Sequence, residues 1–114
     1  MGRPKKARSL SAMKTQGIDL EVIVEATGWQ TIQTIVWSWA RHYHIRLSEG
    51  HQGGGHMYKN VCYEPDPMPT DEQMEELWTR LERVFKVRSI SLVKWDSEDH
   101  EVLWNRKNAP KIKA

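Results

Sequence analysis

Residues 17–61 read GIDLEVIVEATGWQTIQTIVWSWARHYHIRLSEGHQGGGHMYKNV, and the spacing of apolar residues in this stretch indicates its secondary structure. Asp19 can cap a helix whose apolar face holds Leu20, Ile23 and Val24, and Gly28 can end it. A second helix is predicted from about 31 to 44. Its buried stripe consists of Ile32, Ile35, Val36, Trp39 and Tyr43.

A hairpin is predicted after this second helix. Residues 45–47 alternate like a strand, Gly50 to Gly55 form a loose turn, and residues 57–61 form the returning strand. The order of helix, turn, helix and hairpin predicts a winged helix-turn-helix. In that fold the second helix enters the major groove of DNA, and the hairpin is the wing.

The rest of the chain predicts additions to this domain. Residues 1–9 are expected to be a basic flexible arm, and 10–63 to be the winged helix-turn-helix, beginning with a short helix over 10–16. Residues 64–70 form a Pro-rich linker, and Thr70 with Gln73 makes a capping box. The remaining segments are a helix and β-hairpin over 71–105, with Trp78, Trp95 and Trp104 as core aromatics, and a basic tail over 106–114. The expected fold class is therefore α+β, a winged helix-turn-helix with an added C-terminal helix and β-hairpin.

The segment Ile23-Val24-Glu25-Ala26-Thr27-Gly28-Trp29-Gln30 carries a family resemblance. It resembles the I-x-x-A-T-G-W-Q signature of a family of small, mostly uncharacterised bacterial proteins with a winged-helix-like domain. Thr34-Ile35 and the Gly-rich segment 53–59 match the rest of that pattern, so the resemblance covers about residues 17–61. It implies a winged-helix fold and DNA binding. Val36 stands where the family has a basic residue, and His56 and Lys59 stand where it has wing arginines, which reduces the expected phosphate contacts.

The predicted recognition helix carries side chains that suit DNA. Gln pairs with adenine, the Thr methyl contacts thymine, and Arg reads guanine or holds phosphate. In the N-terminal arm, Gly2-Arg3-Pro4-Lys5-Lys6 resembles the core of an AT-hook, which lies in the minor groove. The expected DNA-binding residues are Arg3, Lys5, Lys6, Gln30, Thr31, Gln33, Thr34, Trp37, Arg41, His56 and Lys59.

The charge distribution is also consistent with a second function. Residues 1–14 hold five bases and no acid and residues 106–114 hold four bases, while the remaining body has 8 bases against 15 acids. An acidic body favours a protein-interaction module, of the kind that phage inhibitors of host proteins use, with Trp37 and the acidic C-terminal face as its surface. We expect the C-terminal module either to cover Trp37 or to form a homodimer.

Other function classes find less support in the sequence. We find no nucleophile with a matched His and acid and no phosphate-binding loop, so an enzyme is not expected, nor any cofactor. The spacings of the His residues and the single Cys62 fit no standard zinc pattern, so no metal is expected. No apolar run reaches the ~20 residues that span a bilayer. We therefore expect a cytoplasmic regulator of bacterial or phage origin that binds double-stranded DNA.

Overall fold

Apolar and charged side chains alternate along most of the first strand of the sheet. This strand replaces the helix that was expected to begin at Asp19 and end at Gly28. The computed structural model describes residues 17–96 and 99–108. Its elements are β1 (Ile18–Glu25), α1 (Gln30–His42), β2 (Arg46–Gly54), β3 (Lys59–Asp66), α2 (Asp71–Glu82), β4 (Lys86–Asp96) and β5 (Asp99–Lys107).

The helix predicted over β1 is wrong, and the reason is the period of the pattern. Leu20, Val22 and Val24 are fully buried on one face of the strand, while the residues between them face the other way. Leu20, Ile23 and Val24 also fit a helical face, since short apolar runs match both periods. The β-branched Val and Ile residues favour the strand by propensity, and the alternation of Asp19 and Glu21 with apolar residues favours it by pattern.

The five strands form one antiparallel sheet in the order β2-β3-β1-β4-β5. The winged helix-turn-helix prediction is therefore wrong, because β1 occupies the centre of a sheet where that fold needs a helix. The succession β-α-β-β-α-β, with β1 between β3 and β4, is the split β-α-β or ferredoxin-like arrangement. Strand β5 extends it at the β4 edge.

Both helices pack on one face of the sheet and enclose the core. The predicted stripe of α1 is confirmed, since Ile32, Val36 and Trp39 are fully buried and Ile35 and Tyr43 partly buried. The Trp39 indole Nε1 donates to the carbonyl oxygen of Gln73 at 2.8 Å, which ties α1 to the first turn of α2. The predicted capping box at Thr70 and Gln73 is present in full. Neither helix is long and apolar enough to cross a membrane in the part of the chain that the structure describes.

The chain after residue 70 completes the sheet. β4 pairs with the whole of β1, and Ile90 and Leu92 enter the same core as Leu20 and Val22. Trp78 is buried and Trp104 partly buried, as expected for core aromatics, but Trp95 is 42% exposed. The prediction for Trp95 is wrong because its strand position directs it to the face of the sheet without helices.

Candidate functional site

The face of the sheet opposite the helices, here called the open face, carries a row of aligned side chains. Asn60 on β3 and Ser89 on β4 both stand opposite Ile23 on β1, and Ser89 stands opposite Lys107 on β5. Directly opposed residues share a face and have Cβ atoms ~5 Å apart. The row therefore brings an amide, an apolar side chain, a hydroxyl and an ammonium group together across four strands.

A cleft of about 450 Å³ lies over this row, at one end of the open face. Tyr58, Arg88 and Asn108 complete its lining. The guanidinium carbon of Arg88 is 5.3 Å from the centre of the Tyr58 ring, a cation–π contact. The backbone N–H of Asn108 donates to the carbonyl oxygen of Arg88 at 2.9 Å, which continues the β4–β5 ladder into the cleft wall.

The tip of the β2–β3 hairpin is bound to the residue before α1, and these contacts hold the loop that leads to Tyr58 in place. The Trp29 indole Nε1 donates to the carbonyl oxygen of Gly53 at 3.0 Å. The ammonium of Lys59 donates to the carbonyl oxygen of Gly55 and lies 5.0 Å from the centre of the Trp29 ring. Lys59, one of the expected DNA-binding residues, is only 8% exposed, and its ammonium is engaged within the hairpin. Lys59 therefore stabilises the hairpin that leads to Tyr58 rather than facing a ligand.

Gly54 allows the hairpin to turn tightly before Tyr58. Its φ of +112° is a conformation that L side chains rarely adopt. A Cβ built there would lie 2.5 Å from the carbonyl oxygen of Tyr58. The glycine-rich segment predicted as a wing is thus a hairpin whose geometry sets the position of a cleft residue.

The open face differs in charge between its two ends. Arg88 and Lys107 make the cleft end cationic, whereas Asp19 and Glu21 lie on the same face further along β1. The Asn60 side-chain amide donates to Glu21 Oε2 at 3.2 Å, so the boundary between the two ends lies beside the cleft. The far end adds the exposed apolar side chains of Trp95 and Val102.

The exposed surface of α1 carries most of the predicted DNA-binding residues, but they remain away from the cleft. Gln30, Thr31, Thr34 and Arg41 are exposed, and the Thr34 hydroxyl donates to the Gln30 carbonyl oxygen. His56 is exposed in the β2–β3 loop. Arg3, Lys5 and Lys6 lie outside the described residues, as does the short helix predicted over 10–16.

Trp37 is 44% exposed, so the expectation that the C-terminal module covers it is wrong. Its ring meets the ring of Tyr63 edge to face, with centres 5.8 Å apart. Burial raises the pKa of the Tyr63 phenol, and hydrogen bonds with Trp37 and Gln33 partly offset that rise. Part of the polar surface predicted to read bases is therefore used within the protein.

Sequence reasoning missed Tyr58, Arg88, Lys107 and Asn108 as a group. Tyr58 and Lys107 stand far apart in the chain, and only the pairing of β4 with β1 and β5 brings them to one cleft. The period-two pattern of Ile18–Glu25 was the signal that could have placed β1 at the centre of a sheet. Within the part of the chain that the structure describes, no group of three or more His, Cys, Asp and Glu residues is arranged to hold a metal ion.

The fold and the cleft define an open-faced α+β sandwich with a cationic, partly aromatic site at one end of its sheet. Comparison with protein families, curated proteins and solved structures finds no match to this chain. The function of the protein is therefore inferred from the chemistry of the cleft, since a shared arrangement of strands does not imply a shared function.

Proposed function

We propose that this protein binds single-stranded nucleic acid in the cleft at the cationic end of the open face. The observation that carries the proposal is the combination of one aromatic ring and two cations in one cleft, Tyr58 with Arg88 and Lys107. Single-strand binders combine a cationic groove for the phosphates with aromatic rings on which bases stack. The Asn60 and Asn108 amides add hydrogen-bonding groups for base edges.

A single strand suits this surface better than the duplex expected from the sequence. The helix α1 lies flat on the sheet along its buried stripe, and Arg41 is the one Lys or Arg within its sequence. Next to it, α2 exposes Asp71, Glu72 and Glu75, which would repel the phosphates on either side of a groove. The cleft on the other face of the sheet carries the cations instead.

The position of the ring on the sheet is also informative. RNA-recognition motifs use a four-stranded sheet whose aromatic residues stack bases. Here the middle of the open face bears Glu21 and Cys62, which offer neither a ring nor a positive charge. We therefore expect the nucleic-acid strand to bind only at the end of the sheet near Tyr58.

The proposal is tested by fluorescence anisotropy of the full chain with a labelled single-stranded oligonucleotide of random sequence, as DNA and as RNA, and with its duplex. Tyr58→Ala should weaken single-strand binding by ~1–3 kcal/mol, the usual contribution of one stacked base, and Tyr58→Phe should largely retain it. The double variant Arg88→Ala with Lys107→Ala should reduce the log–log salt slope by ~1.4, because each lost phosphate contact on a single strand contributes ~0.7.

The matched control is the double variant Arg46→Ala with Lys94→Ala. It removes two exposed cations that lie outside the cleft lining, so the change in net charge is the same. If both double variants weaken binding equally, the affinity comes from overall charge and the cleft proposal is wrong. Preferential duplex binding that is lost in Gln33→Ala with Arg41→Ala would instead support groove readout by α1.

The exposed indole of Trp37 favours a second candidate function, a protein-interaction module. Trp37 keeps 44% of its surface in solvent, and residues 17–108 hold 15 acids against 10 bases. An exposed aromatic ring suits an interface, and the excess of acids over the described region as a whole suits a basic protein partner. Affinity capture with the native chain and with Trp37→Ser distinguishes the two: a purified partner that binds the native chain and not the variant, with single-strand affinity unchanged, would establish the second function.

A further inference from the structure

The sheet has an exposed strand at each edge of the region that the structure describes, and the two edges differ. β2 contains Gly50, Gly53 and Gly54 and has a register shift between Ser48 and His51, so its edge is irregular. β5 runs from Asp99 to Lys107 without a glycine, although its pairing with β4 also shifts register, at Leu103. An edge strand presents unpaired backbone N–H and C=O groups that can pair with another strand.

The sequence of β5 is self-complementary in the antiparallel direction. It begins with acids at Asp99 and Glu101, has the apolar residues 102–104 in its centre, and ends with Arg106 and Lys107. Val102 is 54% exposed. When two such strands pair antiparallel, the acidic half of one meets the basic half of the other, and Leu103 of each strand meets Trp104 of the other.

We propose that β5 is the interface at which two copies of this chain pair, edge to edge, into one continuous sheet. The two-fold axis stands perpendicular to the sheet, as an isologous contact between antiparallel strands requires. Glu101 and Arg106 lie on the helix-covered face, opposite Lys94 and Ile90 respectively. The longest ladder that keeps each residue on its own face sets Glu101 opposite Arg106 of the second copy, twice per dimer.

The paired charges of Glu101 and Arg106 lie on the helix-covered face, whereas the cleft residue Lys107 lies on the open face, opposite Ser89. In this register Lys107 stands opposite His100 of the second copy, and its side chain stays on the face that carries the cleft. Both open faces end up on the same side of the dimer, each with its cleft. The inference does not rest on the proposed nucleic-acid function, and it is tested without any nucleic acid.

Sedimentation equilibrium of the full chain over a range of concentrations tests the interface. The native chain should dimerise, and Glu101→Arg or Arg106→Glu alone should raise the dimer Kd by at least about tenfold, because each reversal creates two like-charge pairs. The combined variant Glu101→Arg with Arg106→Glu should return the Kd to near its native value, since the strand is again self-complementary. Arg106 also contacts Glu75 and the Trp78 ring, so this recovery separates the interface from local damage.

A second pair of variants tests the apolar centre of β5. Val102→Lys should weaken the dimer, whereas Val84→Lys, at a residue with a similar 57% exposure after α2, should leave it unchanged. Circular dichroism of each variant checks that the fold is kept. A chain that stays monomeric at every concentration overturns the proposal, and so does a dimer that is insensitive to both Val102→Lys and Glu101→Arg.

Discussion

The two faces of the sheet use neighbouring residues of the same strands for different purposes. On β1, Leu20, Val22 and Val24 are fully buried beneath the helices, while Glu21 and Ile23 face the side where the cleft lies. Alternation along a strand therefore separates the residues that stabilise the fold from those available for binding. Changes on the two faces should accordingly have different consequences for stability and for binding.

The largest difference in stability is expected between two apolar residues on opposite faces of β1, Leu20 and Ile23. Leu20→Ala should lower the free energy of unfolding by about 2–5 kcal/mol, because it leaves a cavity in a fully buried site. Ile23→Ala should cost about 1 kcal/mol or less, because this side chain already touches solvent in the cleft. Urea denaturation measures both values. Equal losses would show that the open face is covered in solution.

A smaller effect is expected at the hairpin that positions Tyr58. Gly54→Val should cost ~1–3 kcal/mol, because valine is strained at a φ of +112° and its Cβ would meet the Tyr58 carbonyl. The control is Gly55→Ala, where an added Cβ has no atom within 4 Å among the described residues and should change stability by less than ~0.5 kcal/mol. Gly54→Val should also weaken single-strand binding, measured by anisotropy. Retained affinity in a folded Gly54→Val variant would count against the role of Tyr58.

Removing negative charge from the open face should strengthen binding modestly. Glu21→Gln should raise single-strand affinity by up to ~1 kcal/mol, since the carboxylate lies beside the proposed path of the phosphates and is partly screened by solvent. Asp19→Asn, which removes a charge further from the cleft along β1, should raise it less. Anisotropy titrations at one low salt concentration compare the two. Equal gains in affinity for the two variants would mean that the bound nucleic acid runs along the whole open face.

The smallest effect concerns the helix layer and depends on pH. The Tyr43 hydroxyl donates to Glu76 Oε1, and this hydrogen bond, together with Arg80, lowers the pKa of Glu76 below its ordinary value of 4.5. A carboxyl group with a lowered pKa in the folded state stabilises the protein above that ordinary value, and the contribution is lost as pH falls through the lowered pKa. Tyr43→Phe should therefore lower the Tm at neutral pH.

The difference in Tm between the native chain and Tyr43→Phe should shrink as pH falls below 4.5. Thermal denaturation across that range measures it. Tyr58→Phe removes a hydroxyl at the cleft instead and serves as the control, for which no such pH-dependent difference is expected. A Tm difference for Tyr43→Phe that does not change with pH would show that the Glu76 carboxylate contributes nothing through this bond.

Much of the secondary structure could be predicted from local patterns. The buried stripe of α1 and the capping box of α2 depend on residues close in the chain. A hairpin was also expected after α1, but its predicted loose turn over Gly50 to Gly55 is wrong, because β2 extends to Gly54 and the connection to β3 covers residues 55–58. The error at β1 arose because Leu20, Ile23 and Val24 match the helical period while Leu20, Val22 and Val24 match the strand period. The apolar positions alone do not distinguish the two periods, whereas the acids Asp19 and Glu21 between them mark the strand. The I-x-x-A-T-G-W-Q resemblance, which implies a winged helix, overlaps β1 at residues 23–25.

The candidate site was far less accessible to prediction. Tyr58, Arg88 and Lys107 have no short-range spacing that marks them, and their common feature is a row of strand partners. The residues favoured by sequence reasoning on α1 do form one exposed helix face, with Gln33 partly covered. Their helix, however, lies on a sheet rather than projecting from a winged domain.

Local sequence patterns specify the helices α1 and α2, because capping and amphipathic spacing act over a few positions. The composition likewise specifies that acids outnumber bases in the body of the chain. The place of β1 between β3 and β4 depends on tertiary structure, since strand order follows from how the whole chain buries its apolar residues against two helices. That order creates the open face, gathers the cleft at one end of it and leaves β5 at the edge.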